Sequence, residues 1–182
     1  MSRRRVPSPA RLLVSVIYGE EGRFGEVFSR LVDLFGEAAE TSGVFPFDRT
    51  DYYEKEMGAP LHRKFVVMER LVPRDALAAA KVRTEELEAE FSVDGNRTVN
   101  LDPGLLTEEN FLLATGKNYS HRVYLRDGVF ADLTLEYRQG EYRPLPWTYP
   151  DLASPAIRAY LGEVREGLRE ARKLEAGESQ CG

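Results

Sequence analysis

Hydrophobic and polar positions along this chain change period from block to block. Leu12 to Tyr18 is a nearly continuous apolar run of strand length, which predicts a central strand buried on both faces. Phe24, Val27, Phe28, Leu31, Val32 and Phe35 then recur at helical spacing, with Gly36 as the stop. A short extended piece through Val44 to Phe47 follows, and Phe65 to Leu71 is the next strand, ended by Pro73. Leu77, Ala80, Thr84, Leu87 and Phe91 mark a second helix with a narrow apolar stripe. Thr98 to Leu101 predicts a short strand running into a tight turn at Asp102-Pro103-Gly104. Thr107 is positioned to cap a short helix that closes at Gly116.

From Asn118 to Leu145 the pattern predicts a β-meander. Asp127-Gly128 is a strong hairpin signal, because both central positions of a type I′ turn need positive φ, and Gln139-Gly140 marks a second turn. Ser154 and Pro155 open a last helix, whose buried stripe is Ile157, Tyr160, Leu161, Val164 and Leu168. The fold class is therefore α+β. The first half reads as a ferredoxin-like β-α-β-β-α-β unit, extended by the antiparallel meander and a C-terminal docking helix. The 182 residues suit one domain with a real core, preceded by a disordered basic arm over 1–9 and ended by a frayed tail over 175–182.

Composition narrows the setting. With 42% hydrophobic and 30% charged residues the chain is that of a soluble globular protein, and no segment has the length of a transmembrane helix. The single cysteine, Cys181, can form no intrachain disulfide, which suits a reducing cytoplasm. Arg3 to Arg5 followed by the Leu12–Tyr18 run does not make an export signal, since the run is short and no small-residue cleavage site follows. A net charge of −5 disfavours nucleic acid as the partner, although basic residues cluster locally at Arg3 to Arg5 and at His62-Arg63-Lys64.

Val44 to Gly58 follows neither a strand nor a helix period, yet carries Phe45, Phe47, Tyr52 and Tyr53 with Asp48, Asp51, Glu54 and Glu56. Such acids suit a hard cation or proton transfer. The segment lacks a calcium-loop pattern, so the spacing assigns no metal, and two histidines with one tail cysteine disfavour zinc. No phosphate-loop, dinucleotide-binding or nucleophile-elbow motif occurs, so the sequence names no cofactor.

In the hairpin, pairing Arg126 with Val129 and continuing outward puts Thr134 opposite His121, with Asp132 and Glu136 as diagonal neighbours. A carboxylate beside an imidazole suits it to general acid–base work. Lys117, Tyr119 and Arg122 near the start of the meander, and Arg143 near its end, are candidate anion contacts. The turn alone does not dictate Asn100 or Asp102, which become candidate ligand contacts. Pro144 to Asp151 presents Trp147 and Tyr149 on a proline-stiffened segment, as a pocket wall or as a lid over the core.

Four phrases occur in order: Phe45-Pro46-Phe47 with Thr50-Asp51-Tyr52-Tyr53-Glu54 through Met57-Gly58, then Val99 to Gly104, His121 to Leu125, and Leu145 to Asp151. Together they resemble the domain of unknown function 4416 family, an uncharacterised bacterial family. The resemblance implies a small, single-domain, cytoplasmic bacterial protein and no particular reaction.

The reading is therefore a small polar or anionic ligand, such as a nucleotide or sugar phosphate, in a pocket around His121. His121, Asp51 and Glu54 are the candidate acid–base groups. Asp48, Tyr52, Asn100, Asp102, Lys117, Tyr119, Arg122, Trp147 and Tyr149 are the candidate ligand contacts. The alternative is a non-catalytic module that offers its sheet to RNA or to a protein partner.

Overall fold

The first strand, β1 (Ala10–Tyr18), is buried at every position, because the sheet it belongs to is covered on both sides. Ala10, Leu12, Val14, Val16 and Tyr18 face α1 (Glu21–Phe35) and share one core with Phe24, Val27 and Leu31. Leu13 faces the other way, into a core with Phe65, Phe111 and Leu135. There Ile157, Leu161, Val164 and Leu168 of the last helix, α4 (Pro155–Glu178), close over the sheet. Ile17 joins a third, smaller cluster with Phe47 and Leu61. The apolar run is continuous because its alternate residues fill different cores.

These elements come from a computed structural model, which describes residues 3–178. The remaining elements are β2 (Ala38–Thr41), β3 (Phe45–Pro46), α2 (Glu54–Met57), β4 (His62–Val72), α3 (Leu77–Glu90), β5 (Val99–Leu106), β6 (Asn110–Thr115), β7 (Arg122–Arg126), β8 (Val129–Arg138) and β9 (Glu141–Pro144). All strands join one antiparallel sheet of nine in the order β2-β4-β1-β5-β6-β8-β7, with β3 added to β4 and β9 to β8. The helix α1 carries the chain past β4 to β2, and α3 carries it past β1 to β5. No helix among the described residues is long and apolar enough to cross a membrane.

The sequence pattern misplaces three elements. The second strand begins at Ala38, before the expected Val44–Phe47 piece, which supplies the two residues of β3. Asp102-Pro103-Gly104 is not a turn: β5 runs through it to Leu106. The expected helix after Thr107 is the strand β6. Thr107 Oγ1 accepts from the N–H groups of Glu109 at 3.2 Å and Asn110 at 3.0 Å, as a helix cap would. Here those bonds close the β5–β6 hairpin.

Along β5 the sheet splays. The strand pairs with β1 from Val99 to Leu106, but with β6 only from Gly104 onward. The edge of Leu101 left open by β6 is filled by α3: Lys81 Nζ donates to its carbonyl at 3.2 Å, and Glu88 Oε1 accepts from its N–H. Two buried side chains thus take the place of a neighbouring strand, which buried backbone groups require. Pro103 stands just before the pairing with β6 begins, where a missing N–H is tolerated.

Long-range ties orient the ends. Arg63 of β4 and Asp151, just before α4, form a buried ion pair at 2.7 Å. Arg172 of α4 donates to the carbonyl of Pro9 at 3.1 Å, and Arg74 Nε to that of Ser8 at 3.0 Å, so the end of the basic arm is held against the body. Ser154 caps α4, accepting from the Ile157 N–H at 3.4 Å. Cys181 and the end of the tail lie outside the described residues.

Gly104 has no room for a side chain. A Cβ there meets the Leu112 carbonyl oxygen and the Phe111 ring, each at 2.7 Å. Gly104→Ala is expected to destabilise the fold by about 1–3 kcal/mol, the usual cost of overpacking. Urea denaturation reads this as a lower midpoint at unchanged slope.

Candidate functional site

The β7–β8 hairpin turns at Asp127-Gly128, with φ of 54° and 76° as a type I′ turn requires. Arg126 faces Val129 as expected, but Leu125 is an extra residue. Beyond it Tyr124 pairs with Phe130, Val123 with Ala131 and Arg122 with Asp132. This one-residue bulge corrects the simple register and brings Arg122 onto the face of Asp132. Asp132 is only 6% exposed. Its Oδ2 accepts from Arg122 Nε at 2.9 Å and lies 3.2 Å from His121 Nε2. One buried carboxylate therefore fixes an imidazole and a guanidinium side by side.

Aromatic rings surround that pair. The His121 ring stacks on Trp147, with centroids 4.8 Å apart and planes at 11°, and Tyr119 meets His121 edge-on at 5.2 Å. Trp147 is held by its Nε1, which donates to the Leu133 carbonyl at 2.8 Å. Thr148 beside it donates from Oγ1 to the Thr134 carbonyl at 2.5 Å. Arg122 spends its other nitrogens on the Lys117 carbonyl at 3.0 Å and the Tyr149 hydroxyl at 3.3 Å. Lys117 Nζ in turn donates to the Tyr52 hydroxyl at 2.6 Å, which ties the Val44–Gly58 segment to the outer strands. His121, Arg122, Lys117, Tyr119, Trp147, Tyr149 and Tyr52 thus form one connected aromatic and basic surface.

Asn100 and Asp102 belong to a second web, deeper in the fold. Arg97 holds Glu56 by two side-chain bonds, Nε to Oε1 at 2.9 Å and Nη2 to Oε2 at 2.7 Å, and its Nη1 donates to Asn100 Oδ1 at 3.0 Å. Asn100 Nδ2 donates to Asp102 Oδ2 at 2.7 Å, and Lys81 Nζ lies 3.4 Å from Asp102 Oδ1. The hydrogen bonds from Arg97 hold the Glu56 carboxyl down at about 2. Burial pushes the Glu88 carboxyl up to about 7, against the opposing pull of Lys81. The nearby Tyr53 phenol is raised, again mainly by burial.

The remaining acids of Val44–Gly58 stand apart. Asp48, Asp51 and Glu54 are exposed, and the carboxylate beside His121 is Asp132, not Asp51 or Glu54. Asp48 lies 3.6 Å from Arg49 in an exposed ion pair. It also lines, with Phe45, Asp151 and Ile157, a shallow cavity of about 190 Å³ between β3 and the start of α4. His121 does not line that cavity. No group of three or more His, Cys, Asp or Glu side chains arranged to hold a metal ion occurs among the described residues.

Sequence reasoning passed over Lys81, Glu88 and Arg97. Lys81 and Glu88 did carry a signal: they lie seven residues apart on α3, on the stripe of Ala80, Thr84 and Leu87, where a solvated charge does not belong. Arg97 carried none, because its partner Glu56 is 41 residues away.

The family model described as Domain of unknown function (DUF4416) matches residues 8–167, and the chain belongs to that family. No curated protein and no solved structure matches it.

The position of Glu88 makes stability depend on pH. Its folded value of about 7 lies above the ordinary 4.5, so its contribution is complete below 4.5 and is lost as pH rises through 7. Glu88→Gln, which keeps an acceptor for the Leu101 N–H, is expected to flatten the fall in stability between those pH values. Denaturation midpoints measured across the window check this.

Proposed function

We propose that this member of the domain of unknown function 4416 family binds a small polar or anionic ligand, such as a nucleotide or a sugar phosphate, on the surface around His121. The observation that carries the reading is the double use of Asp132, which holds His121 and Arg122 together at the outer strands. A carboxylate so placed fixes the imidazole's orientation, which is what a proton-transfer group needs. Asp132 takes the role that Asp51 or Glu54 was expected to fill. Trp147, 38% exposed and stacked on His121, offers a flat surface to a planar ring. Lys117 spends one donor on Tyr52 and has two more for a phosphate or carboxylate. The lone cysteine supports a reducing, cytoplasmic setting for this activity.

A second reading rests on β7, the outermost strand, where Val123, Tyr124 and Leu125 are all exposed. An open edge with exposed apolar side chains can accept a strand from a protein partner. The strand order β2-β4-β1-β5, with both crossovers made by helices, supports reading that half as a ferredoxin-like unit, and the β7 edge of such a non-catalytic module lies on its antiparallel extension.

A thermal-shift screen of nucleotides and sugar phosphates separates the two. A ligand at about a hundred times its Kd stabilises the native state by about 2.7 kcal/mol, a readily measured rise in melting temperature. The ligand reading expects such a rise, and its loss in His121→Ala and in Trp147→Ala. If no compound raises the melting temperature, or a rise survives both substitutions, the ligand does not bind at this surface.

A further inference from the structure

Tyr52 differs chemically from the exposed tyrosines Tyr119 and Tyr124. Its hydroxyl accepts a 2.6 Å hydrogen bond from Lys117 Nζ, and the same ammonium lies 4.8 Å from the centroid of its ring. A short bond from a cation is the strong, charge-assisted kind and favours the ionised acceptor. That hydrogen bond and the charge of Lys117 hold the Tyr52 phenol below its ordinary range, with Arg97 adding to the effect and Glu56 opposing it. The ring of Tyr53 abuts Tyr52 edge-on at 4.9 Å.

The backbone that carries the cation is held in place. The Lys117 N–H donates to Thr115 Oγ1 at 3.2 Å, and the Lys117 carbonyl accepts from Arg122 Nη1 at 3.0 Å. The Lys117 backbone is thus fixed between the end of β6 and the residue that Asp132 anchors. Tyr52 is 59% exposed, so its oxygen is open to a ligand on the same surface.

We propose that Tyr52 and Lys117 form a proton-transfer pair acting on a hydroxyl group of a small hydroxylated anion, of which a sugar phosphate is the type. This rests on the ligand reading given above. The Tyr52 phenolate oxygen takes the proton: the ligand's O–H bond breaks, the Tyr52 O–H bond forms, and the electron pair stays on the ligand oxygen. The Lys117 ammonium stabilises the phenolate before transfer and the ligand's new negative charge after it. In the reverse direction the Tyr52 O–H bond breaks, the ligand's O–H bond re-forms, and the phenolate–ammonium pair is restored.

Tyr119 and Tyr124 serve as internal controls. They are 64% and 58% exposed, close to Tyr52, yet no hydrogen bond from a cation reaches either hydroxyl among the described residues. Nitration by limiting tetranitromethane near neutral pH, which acts on phenolate, is followed by peptide mapping. Tyr52 is expected to be modified several-fold faster than Tyr119 and Tyr124, and Lys117→Met to bring it down to their rate. An ultraviolet titration of the intact protein is expected to show an early phenolate step that Tyr52→Phe removes. Equal modification of the three tyrosines, or a preference for Tyr52 that persists in Lys117→Met, overturns the pair. Neither measurement needs a ligand, so either failure leaves ligand binding standing. Conversely, a reactive Tyr52 in a protein whose melting temperature no sugar phosphate raises overturns the assignment of the hydroxylated anion.

Discussion

A carboxylate buried as deeply as Asp132 must be compensated, and the outer half of the sheet is arranged around that requirement. Removing an unpaired charge from water costs several kcal/mol, so such a group persists only with charged or hydrogen-bonding partners around it. The Asp132 carboxylate has Arg122 and His121, and Thr134 Oγ1 lies 3.5 Å from its Oδ1. The bulge at Leu125 is what makes this arrangement reachable, since a regular register puts Arg122 on the opposite face. From Arg122 the bonds run on to Lys117 and Tyr149, and from His121 to Trp147. The aromatic surface therefore depends on one buried acid.

The inner half meets a related constraint with other means. Where β6 parts from β5, the backbone of Leu101 is left without a strand, and Lys81 and Glu88 occupy the gap. Both side chains are buried, and Asp102, the partner of Lys81, connects onward through Asn100 to Arg97 and Glu56. Glu56 and Tyr52 sit in the same short segment, with Tyr53 between: Arg97 lies 5.3 Å from the Tyr53 ring centroid and Lys117 bonds Tyr52. Val44–Gly58 thus bridges two polar webs, one around Arg97 and one around Arg122. That accounts for its mixture of rings and acids better than a site of its own.

Legibility in the sequence follows the range of the forces involved. The double burial of β1, the stripe of α1, the Asp127-Gly128 turn and the Ser154 cap are local, and each could be read from a few neighbouring residues. Thr107 misled because its side chain makes the same bonds in a hairpin turn as at a helix start, so only the pairing partner decides. Gly104 reads as a turn residue, although its actual role is to let the Phe111 ring lie against the backbone. The bulge left no mark, because one inserted residue changes no composition. Proximity of His121 to Asp132 was legible from the hairpin, but the link from Lys117 to Tyr52 spans 65 residues and needed the whole sheet. The sequence placed Asp51 and Glu54 beside His121 only by assuming that a segment rich in functional groups assembles as one site.

A double-mutant cycle between Asp132 and Arg122 tests most directly whether the buried acid organises the outer strands. Asp132→Asn, Arg122→Gln and the double variant are compared with the parent by urea denaturation. If Asp132 anchors Arg122, the two substitutions are coupled by about 0.5–3 kcal/mol, the range for residues in direct contact. Additivity to within about 0.3–0.5 kcal/mol, as found for independent sites, contradicts the account.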